Sequence, residues 1–294
     1  MKERLRQVLS VSRRSDIPAF YMPWFMQGVA KGRIDVVNPF NHQVRQVAVS
    51  PERVHTMVFW SKNFIPFLDA RCGERLQAMG YHLFFNFTIN SHAPDLEPGV
   101  PPLSQRLDQL RTLAERFGSD TIQWRFDPIC HYRTAAGAEM TNRGDFLQIA
   151  TAAADAGIRL CITSFMDPYR KIARRAQHRL TFVDPPPARK AEILLEMEQA
   201  LVPMDIQLNV CCEAEAIAKL PALSCVRAGA CISGARIMAV HGGRVSLRRD
   251  GGQRKAAGCR CTASVDVGSY SLHPCYHNCL FCYANPACDK RFSQ

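Results

Sequence analysis

The sequence has no run of apolar residues long enough to cross a bilayer, and Met1-Lys-Glu-Arg-Leu-Arg-Gln leads into the first strand-like stretch without a secretory hydrophobic region. No membrane span is therefore expected, and a cytoplasmic setting is. No repeat of fixed period is present, which argues against a solenoid or a propeller. The thirteen cysteines also lack the setting of a disulfide scaffold, because 294 residues without an export signal do not make a small secreted domain. Metal or cluster ligation is the better account of them. What is present otherwise, 47% hydrophobic and 21% charged residues, is the composition of a globular protein able to bury a sizeable core. The net charge of +11, from 37 basic and 26 acidic residues, permits attraction to phosphate-bearing partners but equally describes a solvated basic surface.

Short stretches rich in β-branched and aromatic residues recur at Val8–Ser12, His55–Trp60, His82–Ile89, Thr121–Phe126, Ile158–Ser164 and Ile206–Val210. Segments of helical spacing lie between them at Met22–Ala30, Phe64–Met79, Leu103–Phe117, Arg143–Ala156 and Pro187–Leu201. Such alternation predicts parallel pairing with right-handed crossovers, hence an α/β barrel or open sheet. Ile34–Val49 interrupts it as a β-hairpin, and the proline-rich stretches Ala93–Pro102 and Asp184–Pro187 read as connecting loops.

Polar residues gather where these strands end: Ser12, Arg14 and Asp16 after the first, Lys62 after the second, Asn86 and Thr88 in the third, Arg125 and Asp127 in the fourth. In parallel α/β folds the carboxyl ends of the strands build the ligand site, so these eight are candidates to hold a cofactor or substrate. Any one of them alone is as well explained as a helix cap or a surface pair.

The cysteines carry the strongest signal. Cys275-Tyr-His-Asn-Cys279-Leu-Phe-Cys282 places three thiols in one short loop with C-x3-C-x2-C spacing, enough to hold three irons of a cubane cluster and leave the fourth iron open to a chelating ligand. A zinc knot closed by Cys288 is the alternative, although zinc pairs usually repeat C-x2-C after a spacer and this loop does not. Upstream, one of Cys211 and Cys212 with Cys231, Cys259 and Cys261 can surround a second centre, where four thiolates suit an iron–sulfur cluster or a structural zinc equally by count. Free buried thiols are the third option there. Cys72, Cys130 and Cys161 fall in expected core elements and read as packing residues, and Arg248–Lys255 reads most simply as a solvated, glycine-broken loop, with a phosphate contact as the second reading.

Taken in order, Ser12-Arg13-Arg14-Ser15-Asp16-Ile17-Pro18-Ala19-Phe20-Tyr21, Phe59-Trp60-Ser61-Lys62-Asn63, Trp124-Arg125-Phe126-Asp127-Pro128-Ile129, Cys259-Arg260-Cys261 and the closing Cys275–Asn285 resemble a bacterial domain-of-unknown-function family over nearly the whole chain. That family is similar to the radical S-adenosylmethionine enzymes, the spore photoproduct lyase-like group in particular. The resemblance implies a partial TIM-like (β/α) barrel in permuted order, with residues 1–210 as the core and 211–294 as a Cys-rich iron–sulfur segment whose strand, Asp266–Tyr270, precedes the cluster loop. No Gly-Gly-Glu motif follows that loop, so the strand end that holds the cosubstrate's amino group is open.

The resemblance further implies that Cys275, Cys279 and Cys282 ligate a [4Fe-4S] cluster binding S-adenosylmethionine, that a 5′-deoxyadenosyl radical acts on substrate, that Cys211, Cys231, Cys259 and Cys261 hold a second cluster or zinc, and that ferredoxin or flavodoxin supplies electrons. The charge and the lyase-like resemblance favour a nucleic acid or nucleotide as substrate, with a peptide or small metabolite left open. A zinc-ribbon nucleic-acid-binding protein and an iron–sulfur electron-transfer protein are the rival functions.

Overall fold

In the computed structural model, residues 5–38, 41–176 and 179–284 are described. Eight parallel strands form the main sheet: β1 (Gln7–Val11), β2 (Val54–Ser61), β3 (His82–Thr88), β4 (Ile122–Ile129), β5 (Leu160–Phe165), β6 (Gln207–Val210), β7 (Arg227–Ala228) and β8 (Val265–Asp266). Their order is β7-β6-β5-β4-β3-β2-β1-β8. Strands one to seven therefore lie side by side as they occur in the chain, and β8 returns from far along the sequence to pair with β1, Leu9 opposite Val265 and Ser10 opposite Asp266. The protein is thus of α/β class.

The sequence of β2, Val-His-Thr-Met-Val-Phe-Trp-Ser, is buried at all eight positions, as a parallel strand covered on both faces must be. Side chains of period two divide between the faces. Met57, Phe59, Phe85, Phe87, Trp124 and Phe126 join the large core, to which the helices Met22–Ala30, Leu103–Phe117, Phe146–Asp155 and Pro187–Leu201 contribute. Val8, Val58, Trp60, Phe84, Leu160 and Ile162 point the other way. They pack on Cys231, Ile232, Ile237, Cys259 and Cys261, so the Cys-rich segment, with its helix Gly234–His241, covers that second face.

All six of the expected main strands form, and the hairpin Arg33–Val37 with Val44–Ala48 is antiparallel as its sequence implies. Four details differ. The single helix expected over Phe64–Met79 is two, Ile65–Asp69 and Cys72–Ala78, because Arg71 between them adopts a left-handed backbone with φ of 49° that ends the first and starts the second. A small antiparallel sheet of Leu180–Val183, His131–Thr134 and Glu139–Thr141 was not anticipated, since each strand is too short to show a period. The third concerns the barrel. Among the described residues the sheet is open, with β7 and β8 at opposite edges and only two residues in each, which leaves few backbone groups to form a closing ladder.

The strand expected at Asp266–Tyr270 also stops at Asp266. Its carboxylate turns to accept from the Ser10 and Ser12 hydroxyls, from Arg13 N at 2.7 Å and from Gly268 N at 3.0 Å, and the chain bends there. A Cβ on Gly268 would lie 2.1 Å from Ser12 Oγ, so only glycine allows this approach. No helix among the described residues is long and apolar enough to cross a membrane.

Phe85 is fully buried, with its ring centroid 5.2 to 5.9 Å from those of Phe59, Phe64, Phe67 and Phe117. Phe85→Ala should lower unfolding free energy by about 3–5 kcal/mol in a urea titration. A loss below about 1 kcal/mol would mean that this ring does not join β3 to the helices.

Candidate metal centres

The C-x3-C-x2-C loop is held against loops that leave the carboxyl ends of β1, β2 and β3. Asp16, after β1, accepts from Ala19 N at 3.0 Å and so caps the short helix Ile17–Phe20. The same carboxylate accepts from Ser61 Oγ at 2.7 Å and Lys62 N at 2.9 Å, after β2, and lies 2.8 Å from His277 Nε2 in the cysteine loop. The other ring nitrogen of His277 faces the Gly99 carbonyl at 2.9 Å, after β3. Both ring nitrogens therefore face oxygen atoms of other segments. Gly99 N in turn donates to His277 O at 3.0 Å. A Cβ at Gly99 would stand 2.4 Å from the Tyr276 carbonyl, so glycine is what admits the loop.

Further ties fix the thiols. Leu280 N donates to Leu96 O at 2.8 Å, Arg175 reaches the carbonyls of Cys279, Leu280 and Cys282, and Tyr283 Oη donates to Arg13 O at 2.8 Å. Cys275 is half-buried, Cys279 buried, and each lies near enough to the other thiols of the loop to feel their charge. Burial, then Asp16, pushes Cys275 up to about 12, although N–H groups of His277 and Asp16 point at its sulfur. Burial also pushes Cys279 well up, with Glu97 adding to the shift and Lys62 opposing it. Lys62 pairs with Glu97 and stands 5.5 Å from the Phe281 ring, while Cys279 Sγ is 3.8 Å from Glu97 Oε1. Buried thiols of this kind ionise when a cation offsets the cost, and carboxylate, ammonium and sulfur are already gathered here to define the charge.

The second group lies on the face of the sheet covered by the Cys-rich segment. Cys211, directly after β6, has its sulfur 3.5 Å from that of Cys212, and the ligand atoms of Cys211, Cys212 and Cys259 all lie within 4.8 Å of one another, close enough to hold a metal ion. Cys231 and Cys261 lie near enough to this triad to influence the ionisation of Cys211 and Cys259, so five thiols are electrostatically linked. Cys212 is drawn to low pKa, first by hydrogen bonds from Cys211 and Cys259, with the Arg254 cation assisting.

Arg13 and Arg125 stand near this set and both lie over the Trp60 ring, at 5.2 and 4.8 Å. Burial disfavours the Arg13 cation, yet Cys261, Asp266 and Cys231 outweigh it and raise its pKa. The same holds for Arg125 beside Asp127, Cys231 and Cys211. Arg13 Nη2 and Arg125 Nε are buried without a hydrogen-bond partner. Unspent guanidinium donors beside five thiols fit a bound anionic thiolate centre better than neutral packing cysteines.

The eight strand-end candidates divide between the two places. Asp16 and Lys62 belong to the loop site. Ser12 and Arg14 support the strand that precedes it, Ser12 through Asp266 and Arg14 through the Gly268 carbonyl at 3.0 Å. Arg125 pairs with Asp127, which also accepts from Ser164 Oγ. Asn86 is spent elsewhere: its amide donates to the Cys231 carbonyl at 3.0 Å and accepts from Gln123 at 2.7 Å, which makes it a support of the second thiol group. Thr88 sits buried at the end of β3, opposite Arg125.

Cys72, Cys130 and Cys161 are buried in hydrophobic clusters, as expected of packing residues. Cys288 lies outside the described residues. Glu97 and Arg175 had no signal beyond a charge within a loop or a short helix. Arg254, from the segment read most simply as solvated, pairs with Asp167 and stands beside Cys212.

The fold and these two thiol groups define an α/β protein with a Cys-rich site able to bind metal. The chain belongs to the family described as a domain of unknown function, DUF1848, whose model matches residues 8–284. A search of curated proteins found no match to it.

Cys259 contacts Cys211, Cys212 and Cys261, whereas Cys225 is exposed and outside both groups. After anaerobic preparation, Cys259→Ala should lower metal per chain by one centre, and Cys225→Ala should leave it unchanged. Equal metal content in both variants would remove the second centre.

Proposed function

We propose that the protein is a radical S-adenosylmethionine enzyme, its cluster held by Cys275, Cys279 and Cys282 and the barrel-like arrangement of its strands permuted so that β8 and the cysteine loop come last. The observation that carries this reading is the loop's position: three thiols in one turn, tied by His277 to Asp16 and Gly99, beside loops that follow β1, β2 and β3. The pairing of β8 with β1 supports the permuted order, because it puts the strand that precedes the loop next to the first strand. A [4Fe-4S] cluster, when bound there, supplies an electron that cleaves a carbon–sulfur bond of S-adenosylmethionine to give methionine and a 5′-deoxyadenosyl radical.

The chain's own groups then have distinct tasks. Lys62 and Glu97 place a cation and an anion beside Cys279, suited to the carboxylate and amine of an amino-acid ligand. Asp16 and His277 hold the loop still, and Phe281 with Leu280 and Leu96 keeps water from the thiols. Arg14, Arg125 and Asp127 offer charge further along the strand ends for substrate, and the basic excess suits a nucleic acid or nucleotide. Ferredoxin or flavodoxin is the class of electron donor that fits.

For the second thiol group an auxiliary iron–sulfur cluster and zinc both fit the donor set. The close triad Cys211, Cys212 and Cys259 favours a single ion, and the five linked thiols favour a cluster.

Anaerobically prepared, dithionite-reduced protein should release 5′-deoxyadenosine from S-adenosylmethionine. Cys279→Ala should abolish that release and lower iron and sulfide by about one cubane's content per chain. Zinc without iron in the wild type would overturn the proposal.

A further inference from the structure

A cavity of about 470 Å³ opens at the other end of the sheet, around the amino ends of β4, β5 and β6. Arg159, Arg236, Arg249 and Arg260 line it, and no lining residue is acidic. Arg159 donates to the Ala154 carbonyl at 3.1 Å and has the surface-exposed Asp205 at 3.6 Å, and it, Arg249 and Arg260 are exposed. Four guanidinium groups around one space repel each other unless an anion joins them.

The cavity is also lined by unspent acceptors. Gln123, 1% exposed, donates from Nε2 to Asn86 Oδ1 at 2.7 Å and to the Cys231 carbonyl at 3.1 Å, which fixes the orientation of its amide. Its Oε1 is then buried without a partner. Asn209 Oδ1 and Arg236 Nε are unpartnered in the same way, and all three residues line the cavity. Three unsatisfied groups around one cavity cost stability unless something pairs with them.

We propose that this cavity binds a small phosphate ester, the phosphate on the arginines and hydroxyl or amino hydrogens of its organic part on Gln123 and Asn209. Four guanidinium groups exceed what one carboxylate pairs with, which selects phosphate. The volume falls within the range of small-molecule sites and exceeds the needs of inorganic phosphate alone. Acceptors without donors among the lining amides require a ligand that carries hydrogens to give.

The site adjoins the second thiol group through backbone: Gln123 holds the Cys231 carbonyl, and Arg249 donates to the Cys259 carbonyl at 2.9 Å. It requires no iron and stands apart from the enzyme proposal.

Calorimetric titration at low ionic strength with adenosine monophosphate, ribose 5-phosphate, inorganic phosphate and adenosine tests it. One or both esters should bind saturably, inorganic phosphate at least about tenfold more weakly, and adenosine not at all. Adenosine monophosphate alone would identify a nucleotide, and equal affinity of both esters a sugar phosphate.

The double variant Arg159→Glu with Arg260→Glu, at exposed positions, should lower ester affinity by at least about tenfold. Asn209→Ala should weaken the esters and leave inorganic phosphate as it was. Metal content is measured on every preparation. The proposal is overturned if neither ester binds, if inorganic phosphate binds as well as the esters, if the variants bind like wild type, or if affinity falls only in preparations that have lost metal.

Discussion

The carboxylate of Asp16 is the point through which the loop site is assembled. One buried group accepts from a helix N-terminus, from the hydroxyl and the backbone that follow β2, and lies against the imidazole of the cysteine loop. A buried carboxylate is tolerable only when its lone pairs are filled, and here its partners come from three separate segments. Losing one donor leaves the rest of the set holding an unpaired charge, so the three loops keep their places together. The thiols inherit their position from this arrangement, since His277 lies between Cys275 and Cys279 in the chain.

The rest of the molecule divides according to the two faces of the sheet. Helices covering one face give the strands their apolar alternation and most of the large core. On the other face, where an enclosed barrel would have packed its own strands, the Cys-rich segment supplies the cover, and thiols replace part of the aliphatic packing. Asn86 and Gln123, both donating to the Cys231 carbonyl, and Trp60, donating to Ser10 Oγ with two arginines over its ring, show how polar groups are admitted to that face: each has a hydrogen-bond partner there.

Much of this was legible from the residues. Strands such as Val-His-Thr-Met-Val-Phe-Trp-Ser announce themselves because burial on both faces demands apolar and β-branched residues in a row. The helices Met22–Ala30, Leu103–Phe117 and Pro187–Leu201 have the bounds their spacing implies. That Cys259 would meet the Cys211 and Cys212 pair was legible from residue type, although one of that pair was expected to take part and both do. What was hidden depended on partners distant in the chain. Asn86 looked like a strand-end ligand, yet its partner, the Cys231 carbonyl, is 145 residues away. Glu97 lay in a proline-rich connection, and nothing local tells that such a loop will close over a thiol. The break at Arg71 was equally silent, because arginine is an ordinary helix former and its left-handed backbone is imposed by packing.

The pairing of β1 with β8 joins residues separated by 256 positions, Ser10 to Asp266, and the cysteine loop follows immediately. During synthesis the earliest strand emerges long before its outer neighbour exists, so its edge stays bare while the central strands collapse around it. The loop thiols cannot be delivered to Asp16 until that late strand docks. On the reading proposed above, a cluster at the loop would for this reason be the last part of the site to be assembled, after the central strands have formed the core.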